Sequence, residues 1–346
     1  MKLRKIITIV SIIVVIGGTV IAYNMYKKVF TPNTAFSNSR VAFYIPSDAT
    51  YSQVQDSLKP YIEDMERFNW VAEKKKYPGY IKSGKIVLTN GMNSNEIIAA
   101  LRNPVPVKVT FNNQETLQHL AGRLGEQIEP DSIALLEAFT DKVFLQENGF
   151  TEENVLSIFI PNTYEFYWNT SATKVRDKIA KEYRKFWTAE RKAKAEAVGL
   201  TPLQVSILAS IVHKETVKKD ERPRVAGVYL NRLKMGMPLE ADPTVIYAKK
   251  KNAGDFNLVY KRVLNADLQI DSPYNTYKNG GLPPGPIAMP DISAIDAVLN
   301  PEKHNYIYFC ASVDRPGYHE FAVTHAQHVV NSIKYHQWLN KLNIKR

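Results

Sequence analysis

The sequence predicts an α+β protein in which a small mixed domain and a larger, mostly helical domain follow a single N-terminal membrane helix. The segment from Ile6 to Tyr23 is a mostly apolar run close to the length that crosses hydrocarbon. Strand and helix patterns alternate between residues 41 and 104, whereas helical periodicity dominates between residues 105 and 346. With 346 residues and 45% hydrophobic side chains, the chain can bury a core in each domain.

The apolar run favours an uncleaved membrane anchor at 6–23 over a cleaved secretory signal. It is longer than the apolar core of most signals, and residues 22–24 do not form a small-residue cleavage site. The basic residues of segment 1–5 predict a cytoplasmic N-terminus, although Lys27 and Lys28 on the other side oppose this orientation. The rest of the chain is therefore expected outside the cytoplasmic membrane.

A linker at 24–40 is expected next, because its polar part contains Pro32 and several Asn and Ser residues. The small domain at 41–104 is predicted to contain two strands, from Val41 to Ile45 and from Lys85 to Leu88. Two helices are predicted, from Tyr51 to Lys59 and from Ser94 to Leu101. Pro104 and Pro106 mark the domain boundary.

The larger domain at 105–346 is predicted to open with a strand from Val107 to Phe111. Helical patterns follow at Leu117 to Ile128, Ser132 to Phe139, Lys174 to Ala197, Pro202 to Val217 and Arg222 to Lys234. Late in the chain, alternating residues from Asn305 to Val313 and from Tyr318 to Val323 predict a hairpin. Thr324 is expected to cap a last helix.

The composition restricts the partners and cofactors. A formal charge of +11 predicts attraction to anionic polymers or lipid headgroups, and an extracytoplasmic location argues against nucleic acid. Cys310 is the single cysteine, so an intramolecular disulfide is excluded. The histidines between residues 319 and 336 lack the HExxH spacing of a zinc site, and no metal or other cofactor is expected.

Glu215 is the candidate catalytic residue, because it falls on the apolar face of the helix predicted at 202–217. At about 100° per residue, the apolar arc holds Ile207, Leu208, Ala209, Ile211 and Val212, and the residues outside it are Ser206, Ser210, His213 and Lys214. Burial raises the pKa of a carboxyl group, so that it can act as a general acid near neutral pH. The alternative is a structural ion pair with Arg222 or Arg232.

The segments after this helix predict a sugar-binding groove. Amides, hydroxyls and charged groups lie among tyrosines and prolines, which suits hydrogen bonding to sugar hydroxyls with aromatic faces beneath the rings. The candidate substrate-binding residues are Asn231, Arg232, Glu240, Asp242, Thr244, Ser272, Tyr274, Asn275, Thr276 and Pro284.

The stretches IVHKET, ER, NRL, DPTVIY, SPYNTY and GLPPGPI, in this order, resemble the endolytic murein transglycosylase, or YceG-like, family over essentially the whole chain. The resemblance implies a LysM-like small domain, a YceG-like catalytic domain and catalysis by Glu215. It implies a lyase that cleaves the bond between N-acetylmuramic acid and N-acetylglucosamine in peptidoglycan glycan strands without water, leaving 1,6-anhydro ends. It also implies association with penicillin-binding protein glycan polymerases and a role in terminating nascent strands.

Three positions depart from the family pattern. His213, Asn162 and Glu240 stand where relatives often have Glu, Asp and Gln, respectively. His213 is expected on the outer face of its helix, where a substitution should matter little. The changes at Asn162 and Glu240 concern the details of substrate contact.

Two alternative functions stay open on the sequence. A lysozyme-like hydrolase would need a second carboxylate, which Asp242, Glu240, Glu221 or Asp271 could supply. A non-catalytic scaffold that binds the cell wall would also fit the anchor and the basic charge, but it has no need of an inward-facing carboxylate.

Overall fold

The computed structural model describes residues 2–260 and 262–341, and the chain divides into two compact units. The first unit holds residues 2–109 together with two short later segments, 127–129 and 164–170. The second unit holds the remaining described residues from 110 onward. The described residues do not include Met1, Lys261 or residues 342–346. The start of the predicted cytoplasmic tail at 1–5 and the end of the predicted catalytic domain at 105–346 therefore lie outside them.

The first unit begins with helix α1 (Lys2–Phe30). Its segment Ile6–Phe30 is long and apolar enough to cross a membrane, which is consistent with a single-pass membrane protein. The helix continues beyond the predicted span at 6–23, because no residue between 24 and 30 interrupts it. It ends just before Thr31, where Pro32 disfavours the helical conformation of the preceding residue.

Part of the predicted linker at 24–40 is held firmly by the first unit, which corrects the expectation of a free connection. Residues 24–30 belong to α1, and Asn33 is fully buried. The amide of Asn33 donates to the Asp64 carbonyl at 3.0 Å and to Ser94 Oγ at 2.9 Å, and its oxygen accepts from Asp64 N at 2.9 Å. Asn33, one of the polar residues that predict a linker here, thus satisfies buried partners, whereas Ser37, Asn38 and Ser39 are exposed.

The core of the first unit lies between one strand pair and three helices. Strand β1 (Arg40–Ile45) pairs antiparallel with β2 (Gly84–Thr89), and the helices are α2 (Tyr51–Leu58), α3 (Met65–Lys74) and α4 (Ser94–Leu101). The buried core includes Ile45, Leu58, Phe68, Leu88 and Leu101. The predicted strands and helices are confirmed, and α3 is an addition whose N-cap is Asp64, with its side chain accepting from Arg67 N.

Two further strand pairs occur among the described residues. Strand β3 (Val107–Phe111) pairs with β4 (Asn162–Phe166). Strands β5 (Tyr308–Ala311) and β6 (His319–Ala322) form the predicted late hairpin, in which Ala311 lies opposite His319.

The second unit is mostly helical. Its helices are α5 (Leu117–Gly125), α6 (Ser132–Phe139), α7 (Lys142–Asn148), α8 (Ala172–Phe186), α9 (Ala189–Ala197), α10 (Pro202–Glu215), α11 (Arg222–Lys234), α12 (Asp242–Ala253), α13 (Ile292–Leu299) and α14 (His325–Lys341). The single helix predicted from Lys174 to Ala197 is interrupted, because Thr188 caps a new helix by accepting from Arg191 N. The α+β class is confirmed, while the LysM-like nature of the small domain stays a prediction.

Helix α10 is the central helix of the second unit, and its predicted amphipathic character is wrong. Every residue from Val205 to Val212 is buried, including Ser206 and Ser210. These serines can be buried because their hydroxyls bond to carbonyls of the same helix, Ser206 to Pro202 at 3.2 Å and Ser210 to Ile207 at 2.7 Å. The helix also ends at Glu215 and not at Val217.

His213 is not on an outer face, as the helical angles predicted. Its side chain is only 18% exposed, and Nδ1 lies 3.4 Å from Asp291 Oδ2. Asp291 also accepts hydrogen bonds from the buried Arg222, so the histidine borders a partly buried ion-pair cluster.

Candidate active site

A cavity of about 680 Å³ in the second unit is bordered by the last residue of α10. Its walls come from α11, the start of α12, the β5–β6 hairpin, α14 and the segment between residues 262 and 268. The polar lining residues include Glu215, Arg232, Glu240, Asp242, Arg262, Asn265, Tyr277, His319, Ser332 and Tyr335. A cavity of this size accommodates a ligand of sugar dimensions.

Glu215 is half-buried, because the protein encloses its side chain except where the side chain borders the cavity. Oε2 accepts a hydrogen bond from the Tyr229 hydroxyl at 3.1 Å. Burial raises the pKa of Glu215 to about 7, although the charge of His319 and the bond from Tyr229 lower it. The negative charges of Asp242 and Glu221 raise it further. Glu215 can therefore hold or release a proton near neutral pH.

The structural ion pair considered for Glu215 is not present. Arg222 pairs with Asp291 at 2.6 Å, and Arg232 pairs with Glu240 at 2.8 Å. Each arginine that could have neutralised Glu215 is thus bound to another carboxylate.

His319 lies beside Glu215 and is held by Glu221. The backbone N–H of His319 donates to Glu221 Oε1 at 2.8 Å, and Nδ1 lies 2.8 Å from Oε2. Burial alone would raise the pKa of Glu221, but these contacts with His319 outweigh burial and lower it. Phe309 packs edge-on against the His319 ring with centroids 5.0 Å apart. The imidazole is therefore fixed on two sides at the cavity wall.

The other carboxylates near the cavity have protein partners. The Tyr277 hydroxyl donates to Asp242 Oδ1 at 2.7 Å, and burial together with the Asp242 charge raises the pKa of Tyr277. Asp242 and Glu240 line the cavity. Asp271 is the remaining candidate for a second catalytic carboxylate. Its side chain is fully exposed, and Oδ1 lies 3.7 Å from Lys278 Nζ.

Of the predicted substrate-binding residues, Arg232, Glu240 and Asp242 line the cavity. Arg232 is also a structural group, because Nε donates to the Ile307 carbonyl at 2.6 Å and Nη1 donates to the Leu239 carbonyl at 3.1 Å. Its guanidinium joins α11 to β5 and to the segment before α12.

Two of the predicted asparagines support irregular backbone. The amide of Asn231 donates to the carbonyls of His304 and Tyr306, each at 2.9 Å. Asn275 is fully buried and donates to the carbonyls of Leu268 and Ile270 at 2.9 and 2.8 Å. These contacts with main-chain carbonyls give both amides a structural role beside the cavity.

The remaining predicted residues also lie away from the cavity lining. Thr244 and Thr276 are buried and share a hydrogen bond of 2.8 Å between their hydroxyls. Tyr274 is buried and donates to Glu153 Oε2 at 2.7 Å, while Ser272 accepts from Tyr274 N at 3.3 Å. Pro284 is exposed. Apart from Tyr277, which lines the cavity, the SPYNTY segment thus forms the packed support of the site.

Tyr229 and Tyr277 are site residues that sequence reasoning missed, and His319 was given only as one histidine among several. Tyr229 lies on α11, so the helical angles of α10 carry no information about it. Its position in VYLNRL, within the segment that predicted the groove, is the only signal the sequence offers. Within residues 2–260 and 262–341, no three His, Cys, Asp or Glu side chains converge as metal ligands.

Comparison with known proteins identifies relatives over most of the chain. The endolytic murein transglycosylase of Bacillus subtilis is 30% identical over 322 residues, which cover 86% of this chain and 85% of the relative. The endolytic murein transglycosylase of Streptococcus pneumoniae is 27% identical over 330 residues, and the match covers 86% of this chain but only 59% of the longer relative.

The fold also matches a crystal structure of a yceG-like protein from Listeria monocytogenes. The TM-score is 0.57 at 26% sequence identity, and the match covers 85% of this chain and 99% of the Listeria chain. Among protein families, residues 43–334 match the one described as YceG-like. The chain therefore belongs to the YceG-like family.

Proposed function

We propose that the protein is an endolytic murein transglycosylase in which Glu215 is the single catalytic acid and base. The observation that carries the proposal is a half-buried carboxyl group, with its pKa raised to about 7, at the wall of a cavity that can take sugars. The names of the Bacillus and Streptococcus relatives support the same activity. The substrate is then the glycan strand of peptidoglycan.

The proposed reaction needs one proton and no water. Protonated Glu215 donates to the glycosidic oxygen, and the bond from C1 of N-acetylmuramic acid to that oxygen breaks as positive charge develops at C1. The N-acetylglucosamine leaves with a free hydroxyl. Ionised Glu215 then removes the proton from the C6 hydroxyl of the same muramic residue while O6 bonds to C1. The product is a 1,6-anhydro end, and Glu215 regains its proton.

A pKa near 7 suits a group that acts first as an acid and then as a base. The Tyr229 hydroxyl stabilises the ionised form through its hydrogen bond to Oε2, whereas burial stabilises the protonated form. The opposing effects keep both forms of Glu215 accessible in one catalytic cycle.

A lysozyme-like hydrolase is the second candidate, because Asp242 also lines the cavity. A hydrolase would use this carboxylate as a nucleophile or as a base for water. The hydrogen bond from Tyr277 would orient the Asp242 carboxylate for such a role. The product ends distinguish this candidate from the transglycosylase.

We further infer that α1 crosses the cytoplasmic membrane with the N-terminus inside, which places the catalytic unit outside. The length and apolar character of Ile6–Phe30 support the crossing, and the basic N-terminal residues support the orientation. An enzyme tethered in this way would act on strands close to the membrane. Termination of nascent strands beside penicillin-binding protein glycan polymerases is the role that we propose.

The test uses the full-length chain in detergent micelles, incubated with purified peptidoglycan and followed by mass spectrometry of the strand ends. Wild type is compared with Glu215→Gln and with Glu137→Gln, a matched control on the exposed face of α6. Anhydromuramic ends from wild type and Glu137→Gln, absent with Glu215→Gln, would support the proposal. Reducing ends would indicate a hydrolase, and binding without cleavage by all three proteins would indicate a scaffold.

A further inference from the structure

Hydrogen bonds fix the residues that join α1 to the rest of the first unit. Arg67 of α3 donates to Thr31 Oγ1 at 2.7 Å and to the Pro32 carbonyl at 2.8 Å. Asn33 then enters the buried hydrogen-bond cluster with Asp64 and Ser94. The three residues that follow α1 are thus bonded to the body of the first unit. Any membrane that holds α1 must therefore lie at a defined distance from α3.

The length of α1 sets that distance. The segment Ile6–Phe30 has 25 residues, which at about 1.5 Å per residue extend over about 37 Å. The hydrocarbon core of a bilayer is about 30 Å thick. The helix therefore exceeds the hydrocarbon by several ångströms, and its last turns lie at the level of the headgroups. With Ile6 at one edge of the hydrocarbon, the part of the first unit that follows α1 begins at the level of the headgroups.

A cluster of basic and aromatic side chains lies at this level, and we call Lys27, Lys28, Trp70 and Lys74 the basic collar. Lys28 Nζ lies 5.4 Å and Lys74 Nζ lies 5.9 Å from the centroid of the same Trp70 ring. Thus Lys28 of α1 and Lys74 of α3 place their ammonium groups at one half-buried tryptophan, while Lys27 Nζ lies 5.4 Å from the centroid of the Tyr23 ring on the same helix. The three lysines are exposed. Tryptophan with lysine is the combination enriched where membrane proteins meet headgroups.

We propose that the basic collar binds anionic lipid headgroups of the leaflet from which α1 emerges, so that the first unit rests on the membrane surface. The partner follows from continuity, because the bilayer that covers the exposed apolar face of α1 must end beside these lysines. Lysines close to a membrane are attracted by the negative potential of anionic lipids. The inference rests on the proposed membrane crossing of α1 and not on the chemistry of Glu215.

The experiment measures how closely Trp70 approaches the headgroups. Full-length protein is reconstituted into phosphatidylcholine vesicles with and without phosphatidylglycerol, each with a nitroxide on the lipid headgroup that quenches nearby tryptophans. The chain has 4 tryptophans, so the difference between wild type and Trp70→Phe isolates the signal of Trp70. Resistance to alkaline extraction establishes insertion of α1, and no step depends on enzymatic activity.

The expected result is a Trp70 signal that is quenched, and quenched more strongly when phosphatidylglycerol is present. The dependence on phosphatidylglycerol should be lost in the combined Lys27→Gln, Lys28→Gln, Lys74→Gln variant. It should persist in a control that carries the same change at three exposed lysines of the second unit, Lys142, Lys192 and Lys219. The proposal would be overturned if wild type and Trp70→Phe were quenched equally, or if the quenching of Trp70 did not depend on the presence of phosphatidylglycerol. A protein released by alkaline extraction would overturn it as well.

Discussion

The Tyr229 hydroxyl donates a hydrogen bond to Glu215 Oε2 at 3.1 Å and joins α11 to the end of α10. Tyr229 is 1% exposed, and burial followed by the charge of Glu215 raises its own pKa well above the ordinary value. The hydroxyl therefore remains a donor throughout the pH range in which Glu215 titrates. It orients one carboxylate oxygen and favours the ionised form, against the larger effect of burial.

The rate of glycan cleavage should fall as the pH rises through about 7. The first step requires protonated Glu215, whose pKa is about 7 in the free protein, so kcat/KM should fall about tenfold per pH unit above that value. The measurement is the initial rate of strand cleavage between pH 5 and 9, with far-UV circular dichroism at each pH as the control for folding. A rate that is constant up to pH 9 would show that Glu215 is not the acid.

Tyr229→Phe should move this falling limb to higher pH. The substitution keeps the buried ring and removes the hydrogen bond that lowers the pKa of Glu215. The proton is then held more tightly, and the second step, in which ionised Glu215 acts as a base, becomes slower. The pH profile of kcat/KM is the measurement. Tyr80→Phe, at a tyrosine that is 68% exposed in the first unit, is the matched control and should leave the profile unchanged.

Glu221 and His319 should behave as a coupled pair in stability. The Glu221 side chain is 3% exposed and that of His319 is 15% exposed, so either single change to Gln leaves a buried group with a poorer partner. We expect each change to lower the free energy of unfolding by about 1–3 kcal/mol. A double-mutant cycle in urea should then give a coupling energy of about 0.5–3 kcal/mol.

The exposed pair of Lys334 and Asp314 is the control for this cycle. Its side chains are 51% and 67% exposed, and such surface pairs contribute about 0–1 kcal/mol. Additive effects of the Glu221 and His319 changes would contradict the inference that Glu221 fixes the histidine.

The start of α10 illustrates what sequence can predict. Thr201 accepts from Gln204 N at 3.3 Å, and the Gln204 side chain accepts from Thr201 N at 2.9 Å. This capping box is local, so the types and order of neighbouring residues determine it. The late hairpin was predictable for the same reason, since alternation and turn residues lie within a few positions of one another.

The surroundings of Glu215 were less predictable, because they depend on contacts between distant segments. Tyr229, Tyr277 and His319 come from different elements, and none is a neighbour of Glu215 in sequence. The polar residues of SPYNTY show the same limit. From sequence alone, the Asn275 amide could donate to a sugar or to a main-chain carbonyl. In the structure it donates to the main-chain carbonyls of Leu268 and Ile270. The catalytic role of Glu215 stays a prediction until its variant is measured.

Asp291→Ala should destabilise the second unit strongly. Arg222 is 3% exposed, and the substitution leaves its guanidinium without the carboxylate that it bonds at 2.6 Å. We expect a loss of about 3–5 kcal/mol in the free energy of unfolding, measured with urea at pH 7. Asp56→Ala, which breaks an exposed pair with Lys59, is the control and should cost less than about 1 kcal/mol.

The same carboxylate should make the protein sensitive to acid. Burial alone would raise the pKa of Asp291, but hydrogen bonds from His213, Arg222 and the start of α13 hold it well below its usual range. The stabilisation is present above the unfolded pKa of about 4 and is lost as the pH falls toward the folded value. The stability difference between wild type and Asp291→Ala should shrink below pH 4. A difference that is constant down to pH 2 would contradict this origin.

Gly285→Ala should destabilise the second unit, whereas Gly280→Ala should be tolerated. A Cβ at Gly285 would meet the Glu153 carbonyl oxygen well inside contact distance and would lie 3.1 Å from the Tyr274 hydroxyl. The carbonyl is main chain, so the GLPPGPI segment itself must shift, at a cost of about 1–3 kcal/mol or more. A Cβ at Gly280 meets nothing within 4 Å.

The measurement is thermal unfolding of both glycine variants, together with their cleavage rates below the temperature of unfolding. It tests whether GLPPGPI supports the site by packing against Glu153. If the segment acts by packing against Glu153, Gly285→Ala lowers the melting temperature, because the added methyl group crowds the Glu153 carbonyl and the Tyr274 hydroxyl that donates to the Glu153 carboxylate. Gly280→Ala should retain the wild-type melting temperature. Equal melting temperatures for the two variants would show that the loop can move away from the Glu153 carbonyl at no cost in stability. GLPPGPI would then not be a rigid support of the site.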